Sequence, residues 1–168
     1  MHNSAIKTLT SRSRRVFILV ALLAMGGAGM AVWATTVPSG PRPSALDRER
    51  ATFPICNGGR RITCVVDGDT IWYRGVKIRI ADIDSPEIAR PRCEREARLG
   101  RMATERLQSL LNEAPFRLEI PADGRAEDRF GRALRVIKRG DASLGLVLVR
   151  EGLATRWGGG RPDWCRSA

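Results

Sequence analysis

A change of hydrophobic period near residue 90 constrains the fold of this chain more than any other feature. Three short apolar runs precede it at Ile62–Val66, Thr70–Tyr73 and Val76–Ile83, and the turn signals Asp67-Gly68-Asp69 and Arg74-Gly75 separate them. Short runs divided by such turns predict a three-stranded meander. A helical repeat follows the meander, so the fold combines a sheet with helix.

The helical repeat consists of four apolar residues spaced three or four apart: Leu99, Ala103, Leu107 and Leu110. It predicts a helix over about Glu94–Asn112, and Pro115 marks where that helix must stop. Two further strands are predicted at Phe116–Ile120 and Leu134–Lys138, because both segments are short, apolar and bounded by turn residues.

A last short helix is predicted to be capped by Asp141 or Ser143 and to end near Gly152. The predicted order is therefore β-β-β-α-β-β-α, a mainly β fold with helices (α+β). Five strands with a helix between the third and the fourth is the plan of a five-stranded OB-fold barrel. With 168 residues, the chain has room for one such domain, predicted at residues 53–168, and an N-terminal extension.

The first 34 residues are predicted to be an export signal or a membrane anchor. The paired Arg14 and Arg15 precede an apolar run at Val16–Ala34. The pair is similar to the bacterial twin-arginine signal, and the general secretory route stays open as well. Val32-Trp33-Ala34 offers a cleavage site, whereas an uncleaved run would approach the ~20 residues that span a bilayer. Residues 35–52 are proline-rich and are predicted to be a flexible linker.

Either fate of the N-terminal segment places the domain outside the cytoplasm, where it would be periplasmic, secreted or membrane-anchored. The four cysteines, Cys56, Cys64, Cys93 and Cys165, form no C-x-x-C pair, which argues against a zinc site. An even number behind an export segment indicates two disulfides, with four unpaired thiols as the alternative. Asn57-Gly58-Gly59 can reverse the chain, which favours Cys56–Cys64 and leaves Cys93–Cys165 to tie down the C-terminal tail.

The histidine content excludes several kinds of catalytic site. His2 is the only histidine and lies in the N-terminal extension, so the folded part has no imidazole. Ser-His-Asp and Cys-His nucleophilic sites and histidine-ligated zinc are therefore excluded. The formal net charge of +11 suggests a polyanionic partner such as nucleic acid, or an anionic membrane surface, although biased arginine use alone could produce it.

Acidic residues cluster at the two ends of the predicted meander: Asp67, Asp69, Asp82, Asp84 and Glu87. The start of strand two and the end of strand three can be neighbours, so we expect Asp69 and Asp84 to lie close together. Two such carboxylates repel by roughly 4 kcal/mol at an effective dielectric near 20, and a divalent cation would turn this repulsion into binding. Oxygen ligands indicate calcium or magnesium. The alternative is that these acids are solvated turn residues.

Two arginines fit the same chemistry. Arg79 lies in the third predicted strand, and Arg132 follows Phe130-Gly131 at the start of the fifth. A planar guanidinium matches the oxygens of a phosphate better than an ammonium does. In an arginine-rich chain, ordinary surface arginines are the alternative.

Three segments, in this order and at this spacing, resemble the motifs of the staphylococcal nuclease (thermonuclease) family: Val66–Thr70, Ile78–Glu87 and Asp128–Arg132. Val149–Ala154 is similar to the penultimate helix of that family. The resemblance runs from about Ile62 to Ala154 and implies the same OB barrel that the strand pattern predicts. It departs from the family at Ser85, where threonine is typical, at Phe130, where tyrosine is common, and in the absence of a long C-terminal helix.

The resemblance also implies roles for individual residues. Asp69 and Asp84 would bind Ca²⁺, with the backbone carbonyl of Ser85 as a further ligand. Glu87 would position or deprotonate the attacking water. Two basic residues, Arg79 and Arg132, would grip the scissile phosphate, and Arg132 would also assist the leaving oxygen.

The sequence therefore predicts a calcium-dependent endonuclease that hydrolyses DNA, RNA or both outside the cytoplasm and acts as a monomer. A catalytically inactive OB-fold module that holds nucleic acid is the second hypothesis. The third is a membrane-tethered domain whose positive charge attracts lipid headgroups, and it requires that Val16–Ala34 is not cleaved.

Overall fold

The computed structural model describes residues 40–160 and 162–166. The predicted export segment and residues 35–39 of the predicted linker lie outside the described residues. Within the described part of the chain, neither helix is long and apolar enough to cross a membrane.

The described residues form eight strands and two helices. In chain order they are β1 Cys64–Asp67, β2 Thr70–Tyr73, β3 Val76–Ile80, β4 Ile83–Asp84, α1 Glu94–Glu113, β5 Arg117–Glu119, β6 Ala133–Arg139, β7 Ala142–Ser143, α2 Leu144–Arg150 and β8 Thr155–Arg156. The five longer strands and both helices confirm the predicted order. Ser143, and not Asp141, caps α2, because its hydroxyl accepts a hydrogen bond from the amide of Leu146.

The main sheet has the strand order β1-β2-β3-β6-β5, with β7 added to β6. Strands β1 to β3 form the predicted antiparallel meander, and Arg74-Gly75 is the two-residue turn between β2 and β3. The pairing of β3 with β6 is parallel and places Arg79 opposite Leu134. A mixed sheet in this order, with α1 between its third and fourth long strands, is an OB-fold.

The third predicted strand was too long, because β3 ends at Ile80 and not at Ile83. A turn follows it, and Ile83–Asp84 then form β4, which pairs with β8 in a separate two-stranded sheet. This break matters for the candidate site, since it carries Asp84 away from the line of β3 and back towards the side chain of Arg79.

The core lies between the sheet and the buried face of α1. Ala103, Leu107 and Leu110 are fully buried, as their helical spacing predicts. Phe53, Tyr73 and Phe116 form an aromatic cluster with ring centroids 5.6–5.9 Å apart.

Residues 47–51 fall within the predicted linker but pack against the domain. The buried carboxylate of Asp47 accepts hydrogen bonds from the amide of Gly140 and the guanidinium of Arg117. The backbone of Glu49 pairs with that of Phe116 in both directions, at 2.9 and 3.0 Å. These contacts attach the chain to the sheet before the first residue of the predicted domain.

Both predicted disulfides are present, Cys56–Cys64 and Cys93–Cys165. Cys93 is also the N-cap of α1, and its sulfur accepts a hydrogen bond from the amide of Glu96. The second bridge therefore joins the C-terminal tail to the first turn of the longest helix.

Candidate active site

Asp69 lies immediately before β2, where the chain turns out of β1. Its amide donates to the Asp67 carboxylate at 3.1 Å, and one of its own carboxylate oxygens accepts from the Ser85 amide at 2.8 Å. Gly68 makes this approach possible, because a Cβ there would lie 2.6 Å from the Cβ of Ala103 and 2.8 Å from that of Ser85. The Asp-Gly-Asp turn is thus a close contact between the meander, α1 and the segment after β4.

Arg79 joins the two aspartates that the sequence predicts to converge. Its side chain projects from β3 and is 8% exposed. One terminal nitrogen lies 2.7 Å from the Asp69 carboxylate and the other lies 2.8 Å from that of Asp84. Strands β2, β3 and β4 therefore bring one cation and two anions to a single point, as the meander predicts.

The neighbouring Asp67 is held in a less favourable environment for a charge. Burial, and secondarily the negative charge of Asp69, raises the pKa of Asp67 well above its ordinary value. A third full negative charge at this turn is thus disfavoured.

The oxygen donors suit a hard cation but do not form a complete cage. Among residues 40–160 and 162–166, no group of three or more histidine, cysteine or acidic side chains lies close enough to hold a metal ion. Asp69 and Asp84 supply two carboxylates. Mg²⁺ is usually bound by one or two carboxylates together with waters and phosphate oxygens, and Ca²⁺ takes the same kinds of oxygen ligand in larger number. The oxygen donors are therefore of the chemical type that such an ion binds. The ligand role predicted for the Ser85 carbonyl stays a prediction.

Arg132 shares a pocket of about 60 Å³ with Arg79, because the parallel pairing of β3 and β6 brings their ends together. The Arg132 guanidinium is aimed by Asp128, whose carboxylate lies 2.7 Å from it. Although burial alone would raise it, hydrogen bonds from the amides of Arg132 and Phe130 and from the Arg132 side chain lower the pKa of Asp128. Asp128 thus stays ionised and fixes the arginine. Asp128 is part of the Asp128–Arg132 motif, but sequence reasoning assigned it no role.

Two aromatic side chains contact the arginines of the pocket. The indole of Trp157 lies under Arg79, with the guanidinium carbon 5.6 Å from the ring centroid, and lines the same pocket. Phe130 is 68% exposed, and the guanidinium carbons of Arg129 and Arg132 lie 4.7 and 5.6 Å from its ring centroid. Cation–π contacts of this kind orient an arginine without neutralising it.

Glu87 is exposed and lines a different pocket from the two arginines. That pocket, also about 60 Å³, is called the Glu87 pocket below, and its walls include Asp84, Ser85, Glu87, Pro162 and Trp164. Asp84 belongs to it and also pairs with Arg79, so the aspartate links the two halves of the site. Gly100 of α1 allows the backbone of Glu87 to pack closely, since a Cβ there would lie 3.1 Å from the Glu87 carbonyl oxygen.

The structure therefore brings Asp69, Arg79, Asp84 and Ser85 into direct contact. Arg132 lines a pocket with Arg79, and Glu87 lines another with Asp84 and Ser85. Sequence reasoning missed Pro162 and Trp164 as walls of the site. The only signal for them was the predicted Cys93–Cys165 bridge, which returns the tail to α1.

Comparison with known proteins identifies related chains. The family described as staphylococcal nuclease homologues matches residues 77–160, which include Arg79, Asp84, Glu87 and Arg132. A thermonuclease of Staphylococcus intermedius is 31% identical over 94 residues, which are 54% of this chain and 54% of that protein. An uncharacterised endonuclease of Haemophilus influenzae is 26% identical over 113 residues, 66% of this chain and 55% of that protein. The chain spans about half the length of these curated relatives.

Proposed function

Because the chain belongs to the staphylococcal nuclease family, we propose that it is a calcium-dependent endonuclease that hydrolyses phosphodiester bonds of DNA, RNA or both. The observation that carries the proposal is the position of Arg79. Its guanidinium lies within 2.8 Å of both Asp69 and Asp84 and lines one pocket with Arg132. Two planar donors beside paired carboxylates suit a phosphodiester that is held next to a hard cation.

In the proposed reaction, a water molecule attacks phosphorus and the bond from phosphorus to the leaving oxygen breaks. Glu87 accepts the proton that the water loses, since the folded part of the chain has no histidine for this task. Arg79 and Arg132 donate hydrogen bonds to the phosphate oxygens, on which negative charge increases in the transition state. Arg132 also assists the leaving oxygen by donating a hydrogen bond, and that oxygen takes up a proton from bulk water as it departs.

Asp69 and Asp84 would hold the calcium ion, with the Ser85 carbonyl as a further ligand. When bound, a divalent cation neutralises phosphate charge and lowers the barrier to attack by water. The guanidinium of Arg79 keeps the two carboxylates together, so their convergence does not depend on the ion.

The proposed location is outside the cytoplasm, either periplasmic, secreted or anchored to the membrane. Two disulfides support an oxidising compartment, because cytosolic thiols are normally kept reduced. The net charge of +11 supports nucleic acid as the substrate. We propose that the protein acts as a monomer.

The test is a nuclease assay with purified protein on single-stranded DNA and on RNA. We expect EDTA to abolish cleavage and calcium to restore it. Glu87→Gln should lower kcat by about 10²–10⁴-fold, because it removes the base and keeps the shape of the side chain. Glu105→Gln, at an exposed position on α1, is the matched control and should be as active as wild type.

Two outcomes would contradict the proposal in different ways. Full activity of Glu87→Gln would show that another group accepts the proton. Retarded migration of DNA without any product, at every calcium concentration, would instead support the inactive binding module.

A further inference from the structure

The C-terminal segment 162–166 lies against the start of α1 and is held there by several independent contacts. Cys165 is bonded to Cys93. The Arg95 guanidinium donates to the backbone carbonyls of Trp164 and Arg166, at 2.9 and 2.7 Å. The Arg92 guanidinium donates to the carbonyl of Pro162 at 3.3 Å. The path of this segment is thus fixed through its backbone.

This attachment does not serve the hydrophobic core. The buried core cluster of the described residues contains none of residues 162–166. The segment instead contacts polar groups at the start of α1. These contacts place two of its residues at the site. Pro162 and Trp164 line the Glu87 pocket together with Asp84, Ser85 and Glu87.

The size of the Glu87 pocket indicates what it can contain. A volume of about 60 Å³ admits a few water molecules. Its walls carry carboxylates that accept hydrogen bonds from water. Because Glu87 is the proposed base and lines this pocket, water held there lies next to the group that would accept its proton.

We propose that Trp164 is a positioning residue that closes the Glu87 pocket, and that the Cys93–Cys165 disulfide holds it in place so that water is confined against Glu87. This inference rests on the proposed nuclease function and extends it to a segment outside the matched family region. Confinement raises the fraction of time in which the water is aligned for attack, and small misplacements of a reacting group cost large factors in rate.

Three variants of the full-length protein separate this role from a structural one. Trp164→Ala opens the pocket, and Trp164→Phe keeps an aromatic wall. The double variant Cys93→Ser/Cys165→Ser removes the covalent tie of the tail and leaves its hydrogen bonds to Arg92 and Arg95. It preserves the cap of α1, because serine is a strong N-cap residue. The matched control is Cys56→Ser/Cys64→Ser, which removes the other disulfide and leaves the tail bound.

We expect Trp164→Ala and the Cys93→Ser/Cys165→Ser variant to lose about 10–100-fold in kcat on single-stranded DNA, with KM within about threefold of wild type. Trp164→Phe should recover most of the rate. The Cys56→Ser/Cys64→Ser control should keep its kcat when it is assayed below its thermal unfolding midpoint. Circular dichroism checks that each protein is folded.

The alternative results are informative. Unchanged kcat in folded Trp164→Ala and in the folded Cys93→Ser/Cys165→Ser variant would overturn the inference and leave the proposed function intact. A raised KM with unchanged kcat would also overturn it, because the tail would then belong to the substrate groove. Wild-type protein without nuclease activity would refute the proposed function, and this inference with it.

Discussion

Arg139 is a charged side chain that is completely buried, and its removal should destabilise the fold severely. It is 0% exposed and lies at the end of β6. Its guanidinium donates to the backbone carbonyls of Leu110, Ala114 and Pro115 and pairs with the Glu113 carboxylate at 3.3 Å. These groups form the C-terminal end of α1.

The helix depends on this arginine because its own sequence supplies no C-terminal cation. The last turn of α1 has no basic residue, and the carbonyls there have no partner within the helix. A hydrogen bond to a charged group contributes about 1.5–3 kcal/mol, and removing one member of a buried charged network costs about 3–5 kcal/mol. We therefore expect Arg139→Ala to lower the free energy of unfolding by about 3–5 kcal/mol, which is roughly 10–20 °C in Tm.

Chemical denaturation followed by circular dichroism measures this loss. Arg139→Lys should lose less than Arg139→Ala, because an ammonium retains the charge but cannot reach all the carbonyls. Arg98→Ala, at an exposed position on the same helix, should stay within about 0.5 kcal/mol of wild type.

Activity provides an independent check of the same reasoning. Arg139 lies seven residues beyond Arg132 in the sequence, which is about 23 Å along a strand. Folded Arg139→Ala should therefore keep its kcat. A free energy of unfolding within about 1 kcal/mol of wild type, or a lost kcat in the folded variant, would refute the helix-capping role.

Two further predictions concern the site itself. Burial and the charge of Asp69 raise the pKa of Asp67 to about 7, so the folded protein binds the extra proton and loses stability as pH rises from about 4 to 7. In EDTA, Asp67→Asn should therefore raise the free energy of unfolding by about 1–3 kcal/mol over wild type at pH 8 and by little at pH 4. Urea unfolding measures this, and an equal increase at both pH values would contradict the prediction. Arg79→Lys should lower kcat by about 10²–10³-fold while the protein stays folded, because one ammonium cannot contact both aspartates in the way the guanidinium does. A near wild-type kcat in a steady-state assay would exclude this role of the guanidinium.

Local patterns predicted the long elements of the fold. The meander follows from its turn residues, and α1 follows from apolar residues at helical spacing, both of which depend on neighbours within a few positions. The three two-residue strands were not predicted, because two residues are too few to show a hydrophobic period. One of them, β4, decides where Asp84 points.

Contacts between residues far apart in the sequence were harder to predict. The convergence of Asp69 and Asp84 could be predicted because a meander fixes which strand ends are neighbours. The place of Trp164 beside Glu87 could not, since a single tryptophan in a tail has no pattern and its position depends on the Cys93–Cys165 bridge. Arg139 was missed for a related reason, because an arginine at a strand end is usually solvated.

The contacts of residues 47–51 set a sharp limit to how far the N-terminal side can be digested before the domain loses stability. A protease that trims the chain from its N-terminal side can remove residues up to about 43 without touching the buried carboxylate of Asp47. Digestion past that carboxylate would remove one of the two acidic partners of Arg117, leaving Glu119, and would free the backbone of Phe116. A recombinant fragment of this protein should therefore begin ahead of Ser44 if it is to melt as the parent does.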